Sequence, residues 1–222
     1  MEAPPPDTLP TVVDLMQRCI DQPGKHLDEQ SCAHFDAYFL GYQITGKVRD
    51  LEWGPQSLSS AIETDFARGS LAACSFHPIG LLVAALGEPA ALHRELEYLR
   101  QLSSPANRVE ESWGKMGGKH LLEMLGKDGP IRQRPAMYLG NAASAPLLWS
   151  MLSGGKWAEL DAGISDGPVA LFFNGFQAWV EKDSPFSKNI PWGRTLFLTA
   201  LQSHKESVTA FFHDFDSYVE EG

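Results

Sequence analysis

The chain has 222 residues, 43% of them apolar and 21% charged, and a formal net charge of −10. That length and composition support a substantial core and exclude general disorder. The acid surplus disfavours direct nucleic-acid binding, which needs cations to displace phosphate counterions.

The longest apolar run, Gly80 to Leu86, falls far short of the ~20 residues that span a bilayer. The N-terminus reads Met-Glu-Ala-Pro-Pro-Pro, without the basic and apolar parts of a secretion signal. A cytoplasmic protein with no membrane partner is expected. The three cysteines, Cys19, Cys32 and Cys74, match no metal or disulfide spacing and read as buried thiols in a reducing compartment.

Residues 1–10 hold four prolines and read as a flexible tail. Thr11 to Gln22 follows, with Val12, Leu15, Met16, Cys19 and Ile20 on one helical stripe, Thr11 as N-cap and Gly24 as stop. Asp28 to Lys47 repeats the pattern through Cys32, Phe35, Tyr38, Phe39 and Tyr42, capped by Asp28 or Ser31. Gly41 sits inside it, where glycine costs about 1 kcal/mol against alanine, so a close backbone contact is expected there. Helices are also predicted over 57–68, 78–86 and 90–102, the last with Leu92, Leu96 and Leu99 inward.

Ser103 to Asn107 is the clearest linker. It separates an N-terminal half, 11–102, from a C-terminal half, 108–222. In the second half, helices are expected within 109–126 and over 145–152, 169–180, 193–202 and 207–219. Glu220 and Glu221 end the last one, against the helix dipole.

Tyr38-Phe-Leu-Gly-Tyr-Gln43 echoes Phe172-Phe-Asn-Gly-Phe-Gln177, and Trp53-Gly54 echoes Trp192-Gly193. The expected architecture is therefore mainly α, with room for a few short strands near the loops. Two related helical halves pack together, Gly41 and Gly175 at close helix contacts and the two tryptophans as core plugs.

No catalytic pattern emerges. Gly114 to Lys119 departs from a phosphate loop at both ends, where Trp113 and His120 stand. No G-x-S-x-G elbow, HExxH or paired-cysteine set occurs. His204, His213 and Asp216 are the best metal candidates and define the alternative reading, a small metal-dependent hydrolase. A structural adaptor is a third.

The most specific stretch is Ile131 to Gly140, I-R-Q-R-P-A-M-Y-L-G. Arg134 to Gly140 resembles the R-P-x-M-Y-I-G segment in ATPase domains of type II topoisomerase B subunits. That family also needs an acidic base and a magnesium-binding Asn, and 147–160 offers no such pair, so ATPase function is rejected.

Together with Phe173-Asn-Gly-Phe-Gln-Ala-Trp179, the segment resembles small bacterial immunity proteins encoded beside polymorphic or type VI secretion toxins. It is most similar to the family paired with restriction-endonuclease-like DNase toxins, over residues 130 to 219. The resemblance implies a non-enzymatic cytoplasmic protein that blocks one cognate toxin, without cofactor or metal. The acid surplus suits a basic nuclease cleft.

Trp53, Tyr138 and Trp192 are the expected toxin-contact anchors, with acidic contacts from Asp183, Asp214, Asp216, Glu220 and Glu221. Arg132, Arg134, Pro135, Met137, Tyr138 and Gly140 form the structural motif. In it an Arg ties the Pro135 turn to a carboxylate, Met137 and Leu139 reach the core, and Gly140 releases the chain. The segment itself reads as a hinge rather than the contact surface.

Overall fold

The computed structural model describes residues 9–46, 61–62, 78–102, 117–184, 186 and 189–221. Among the described residues the regular structure is helical throughout, with no strand. None of these helices is long and apolar enough to cross a membrane.

Helix α1 spans Val12–Asp21. Its capping box is closed: the Thr11 hydroxyl accepts from the Asp14 amide at 3.2 Å, and the Asp14 carboxylate accepts from the Thr11 amide at 2.7 Å. Gly24, expected to stop the chain, lies inside a one-turn helix α2, Pro23–His26, set by a proline at its start. Helix α3 spans Cys32–Thr45, and Ser31, not Asp28, is its N-cap, accepting from the His34 amide at 3.2 Å. Helices α4, Pro78–Leu86, and α5, Glu88–Leu102, follow the predicted bounds closely.

The second half begins with α6, Gly117–Leu125. The Ile131–Gly140 stretch folds as two one-turn helices, α7, Pro130–Gln133, and α8, Pro135–Leu139, each opened by a proline. Then come α9, Ala145–Asp161; α10, Pro168–Asp183; α11, Trp192–Thr199; and α12, His204–Glu221.

Helix α9 runs well past the expected end at Leu152. Ser153, Gly154 and Gly155 read as breakers in isolation, yet all three are buried, the two glycines against α3 and Ser153 facing the Lys25 carbonyl of α2. Helices α3 and α9 run parallel, with His34 beside Ser150 and Gly46 beside Ala158. A Cβ on Gly41 would lie 1.8 Å from the Met151 carbonyl oxygen, and one on Gly154 would lie 1.9 Å from that of Tyr38. Glycine at both positions lets two backbones touch.

This pair is the wall between two apolar clusters. On one side α1 brings Leu15, Met16 and Cys19, α3 brings Phe35, Tyr38 and Tyr42, and α5 brings Leu92, Leu96 and Leu99. On the other, α9 and α10 meet α11 and α12 through Leu148, Leu152, Phe172, Phe176, Trp192, Phe211 and Phe215. The indole of Trp192 is 0% exposed, stacked on Phe211 with ring centroids 5.2 Å apart. Gly175 does sit at a close contact, against the Tyr218 hydroxyl of α12. The proposed linker and the Trp53-Gly54 pair lie outside the described residues.

A carboxylate holds the turn between α9 and α10. Glu159 is 3% exposed, and its oxygens accept from the amides of Val169 and Ala170 at 3.1 and 2.8 Å. Those amides are orphan donors at the start of α10, where a negative group is favoured. Gly118 and Gly167 are the residues that let the loop close on it: a Cβ at either would lie 1.9 or 2.2 Å from the carboxylate. The glycines of the Gly114–Lys119 loop thus include one with a packing duty.

Candidate functional site

The predicted motif is anchored from below. Arg132 on α7 gives Asp216 on α12 a two-pronged ion pair, Nη1 to Oδ1 at 2.6 Å and Nη2 to Oδ2 at 2.8 Å. Its guanidinium also lies over the Phe212 ring, 5.1 Å from the centroid. The paired charge raises the Arg132 pKa and, through the same hydrogen bonds, holds that of Asp216 below the usual carboxylate range. Ile131 and Leu139 are buried on either side, and Gly140 turns the chain with φ +74°.

Two expectations for this segment are corrected. Met137 does not reach the core: it is 71% exposed, because the single turn of α8 spends its inward positions on Leu139 and, in part, Tyr138. Arg134 does not share the clamp: it is exposed and, among the described residues, makes no ion pair. Arg132 alone ties the Pro135 turn to a carboxylate.

The other expected contacts scatter. Trp192 is a core residue with no surface to offer, so it is corrected as an anchor. Trp53 lies outside the described residues, and Asp183 closes α10 with its side chain outside them. Asp214 lies 3.1 Å from its neighbour His213. Glu220 accepts from Lys127 at 3.0 Å, and Glu221 from the Trp179 indole at 3.1 Å. The acids that oppose the α12 dipole therefore have intramolecular partners. Of the predicted set, the fold brings Asp216 and Glu220 to one side of α12, facing the α6–α7 turn, and leaves Tyr138 half-buried on α8.

A Ser-His-Asp contact that spacing does not reveal lies where the α2–α3 link meets α9 and α11. The His34 Nδ1 and the Ser150 Oγ are 2.8 Å apart, and the Asp28 amide donates to that Oγ at 3.3 Å. The Asp28 carboxylate, 1% exposed, turns instead to Arg194 at 3.0 Å. Ser150 is 0% exposed and the carboxylate does not orient the imidazole, so the group has neither the access nor the relay of a nucleophilic triad. Burial pushes His34 down to about 4, keeping it neutral. Burial raises Asp28 to about 6, against the pull of Arg194. The network is a lock between halves, and its members are 116 residues apart at the His–Ser contact, which is why no motif shows it.

Among the described residues no three His, Cys, Asp or Glu side chains converge on a metal-sized site. Cys19 and Cys32 are free and buried, and burial pushes both thiols above their usual range, which makes them poor nucleophiles. Cys74 lies outside the described residues. Comparison with protein-family models, with curated proteins and with solved structures finds no match to this chain.

Proposed function

We propose that the chain is a non-enzymatic cytoplasmic protein that binds and neutralises a toxin protein, a nuclease by the resemblance of its 130–219 region. The observation that carries the reading is Met137. A large apolar side chain stands 71% exposed on α8, the helix that directly follows the clamped α7, near the exposed Arg134. An apolar anchor on a rigid support loses little freedom on docking, and such anchors dominate binding energy. The net charge of −10 favours steering toward a basic partner.

The metal-dependent hydrolase alternative is weakened at one of its ligands. Asp216 commits both oxygens to Arg132, so a metal there would have to break a two-pronged ion pair.

The test is to express the products of the genes flanking this one, identify one that kills, and co-express it with this chain. Growth is expected to be restored by the wild type; continued killing would end the reading. The Met137→Asp variant should keep the wild-type melting temperature and lose about tenfold or more in toxin affinity, the cost of desolvating a charge at an apolar anchor. Unchanged affinity would move the contact surface elsewhere.

A further inference from the structure

The junction of α3 and α5 carries an arrangement that the binding reading leaves unused. Glu95 on α5 is 3% exposed, and its Oε2 has no hydrogen-bond partner. Around it stand Cys32 and two more acids, whose charges act on it. Glu88, half-buried at the start of α5, accepts from the Cys32 amide at 3.2 Å. Asp36, one turn along α3, keeps an exposed side chain, and burial of its surroundings, then the charge of Glu88, pushes it up to about 7.

No described cation joins these three carboxylates. Arg18 of α1 turns to Asp161 at 2.6 Å, and Asp14 closes its own cap. Helix α4 has no charged residue. On α5, Arg94 pairs with Glu97, and Arg100 reaches Gln17.

Like charges brought together, one of them buried, favour a held proton. Burial first, then the charge of Asp36, pushes Glu95 up to about 8. A guanidinium or ammonium would supply the compensation by charge instead, with stronger, charge-assisted hydrogen bonds. In such a contact Asp36 and Glu88 would be the outer carboxylates and Glu95 the buried one.

We propose that Asp36, Glu88 and Glu95 form a receiving slot for an arginine or lysine side chain of a protein partner. Resting on the function proposed above, the partner is the basic toxin. The charge of the slot and its unpartnered buried oxygen both call for a cation, and a side chain is the cation that an interface delivers.

The slot is tested without the toxin by titrating the full chain with an oligo-arginine peptide, followed by amide NMR. Shifts are expected at Cys32, Asp36 and Glu88, and the D36N/E88Q double variant should bind about tenfold more weakly or worse. Asp166→Asn, on an exposed loop elsewhere, should change the affinity less than about twofold.

Binding should tighten from pH 6 to pH 8 as Asp36 and Glu95 give up their protons, and Glu95→Gln should reduce that dependence while leaving the part that Asp36 contributes. Equal weakening in Asp166→Asn, or no shift at the three amides, would overturn the slot. Spermidine binding at the same amides with equal affinity would overturn the assignment to a protein side chain. If the double variant does not fold, Asp36→Asn alone is read, since that side chain is exposed.

Toxin experiments separate the two claims. Full neutralisation by D36N/E88Q removes the toxin from the slot and leaves the function standing. A wild type that binds the peptide at these amides and does not neutralise removes the function and leaves the slot.

Discussion

Gly154→Ala sets helix propensity against packing. Gly154 lies inside α9, where alanine is the better helix former by about 1 kcal/mol, so local preference predicts stabilisation. The added Cβ would lie 1.9 Å from the Tyr38 carbonyl oxygen and 3.0 Å from the Tyr42 amide nitrogen. Both atoms are backbone and cannot swing aside, so α3 and α9 must part by about 1 Å to restore contact distances.

A gap of that size forfeits a quarter to a half of each dispersion contact along the seam, which forms the wall between both clusters. Set against the propensity gain, a net loss of about 2–4 kcal/mol follows, or roughly 5–15 °C in melting temperature for a chain of this size. Gly41→Ala, at 1.8 Å from the Met151 oxygen, should behave alike. Gly24→Ala is the control, since nothing lies within 4 Å of its Cβ, and it should gain a few tenths of a kcal/mol. Urea and thermal unfolding followed by circular dichroism give all three values. A Gly154→Ala variant as stable as the wild type would refute the backbone contact.

Glu159→Ala leaves the Val169 and Ala170 amides without their acceptor in a buried turn and should cost about 2–3 kcal/mol in urea unfolding, with Glu159→Gln recovering part of it. Arg132→Ala should cost about 1 kcal/mol, a figure held down by the partial exposure of the pair, while Arg134→Ala should leave the melting temperature unchanged. Glu95 makes stability pH-dependent with a definite sign. Its folded-state pKa, about 8, lies well above the ordinary glutamate value, so the native state holds the extra proton. The stability that this proton contributes is present below the unfolded value and is lost as pH rises toward 8. Glu95→Gln should therefore gain on the wild type across that window, by on the order of a few kcal/mol, and parallel stability curves for the two would refute the assignment.

Much of the fold is written in short-range chemistry. The Thr11–Asp14 box, the Leu92–Leu96–Leu99 stripe and the prolines that open α7 and α8 each act within about one turn, so each can be read along the chain. The errors share one cause. Gly154-Gly155 breaks a helix in isolation, because glycine pays backbone entropy, and continues one here because α3 needs the room. Ser150, Asp28 and His34 are unremarkable one by one; their contact depends on the parallel register of α3 and α9, which no local pattern encodes. Glu159 is equally silent, although two glycines, Gly118 and Gly167, exist at their positions partly because of it.

The placement of Met137 was misread for a related reason. Periodicity assigns apolar residues inward, and on a long helix that rule works. Helix α8 has five residues, barely more than one turn, so it has too few inward positions for Met137, Tyr138 and Leu139 together. Leu139 takes the core, Tyr138 the margin, and Met137 is left in solvent on a support that Arg132, Pro135 and Gly140 make stiff. The same residues that mark the segment as structural therefore flank its one large exposed apolar side chain. If the proposed function holds, hinge and contact surface are two aspects of one element, and the clamp on α7 would help keep Met137 in place for a partner.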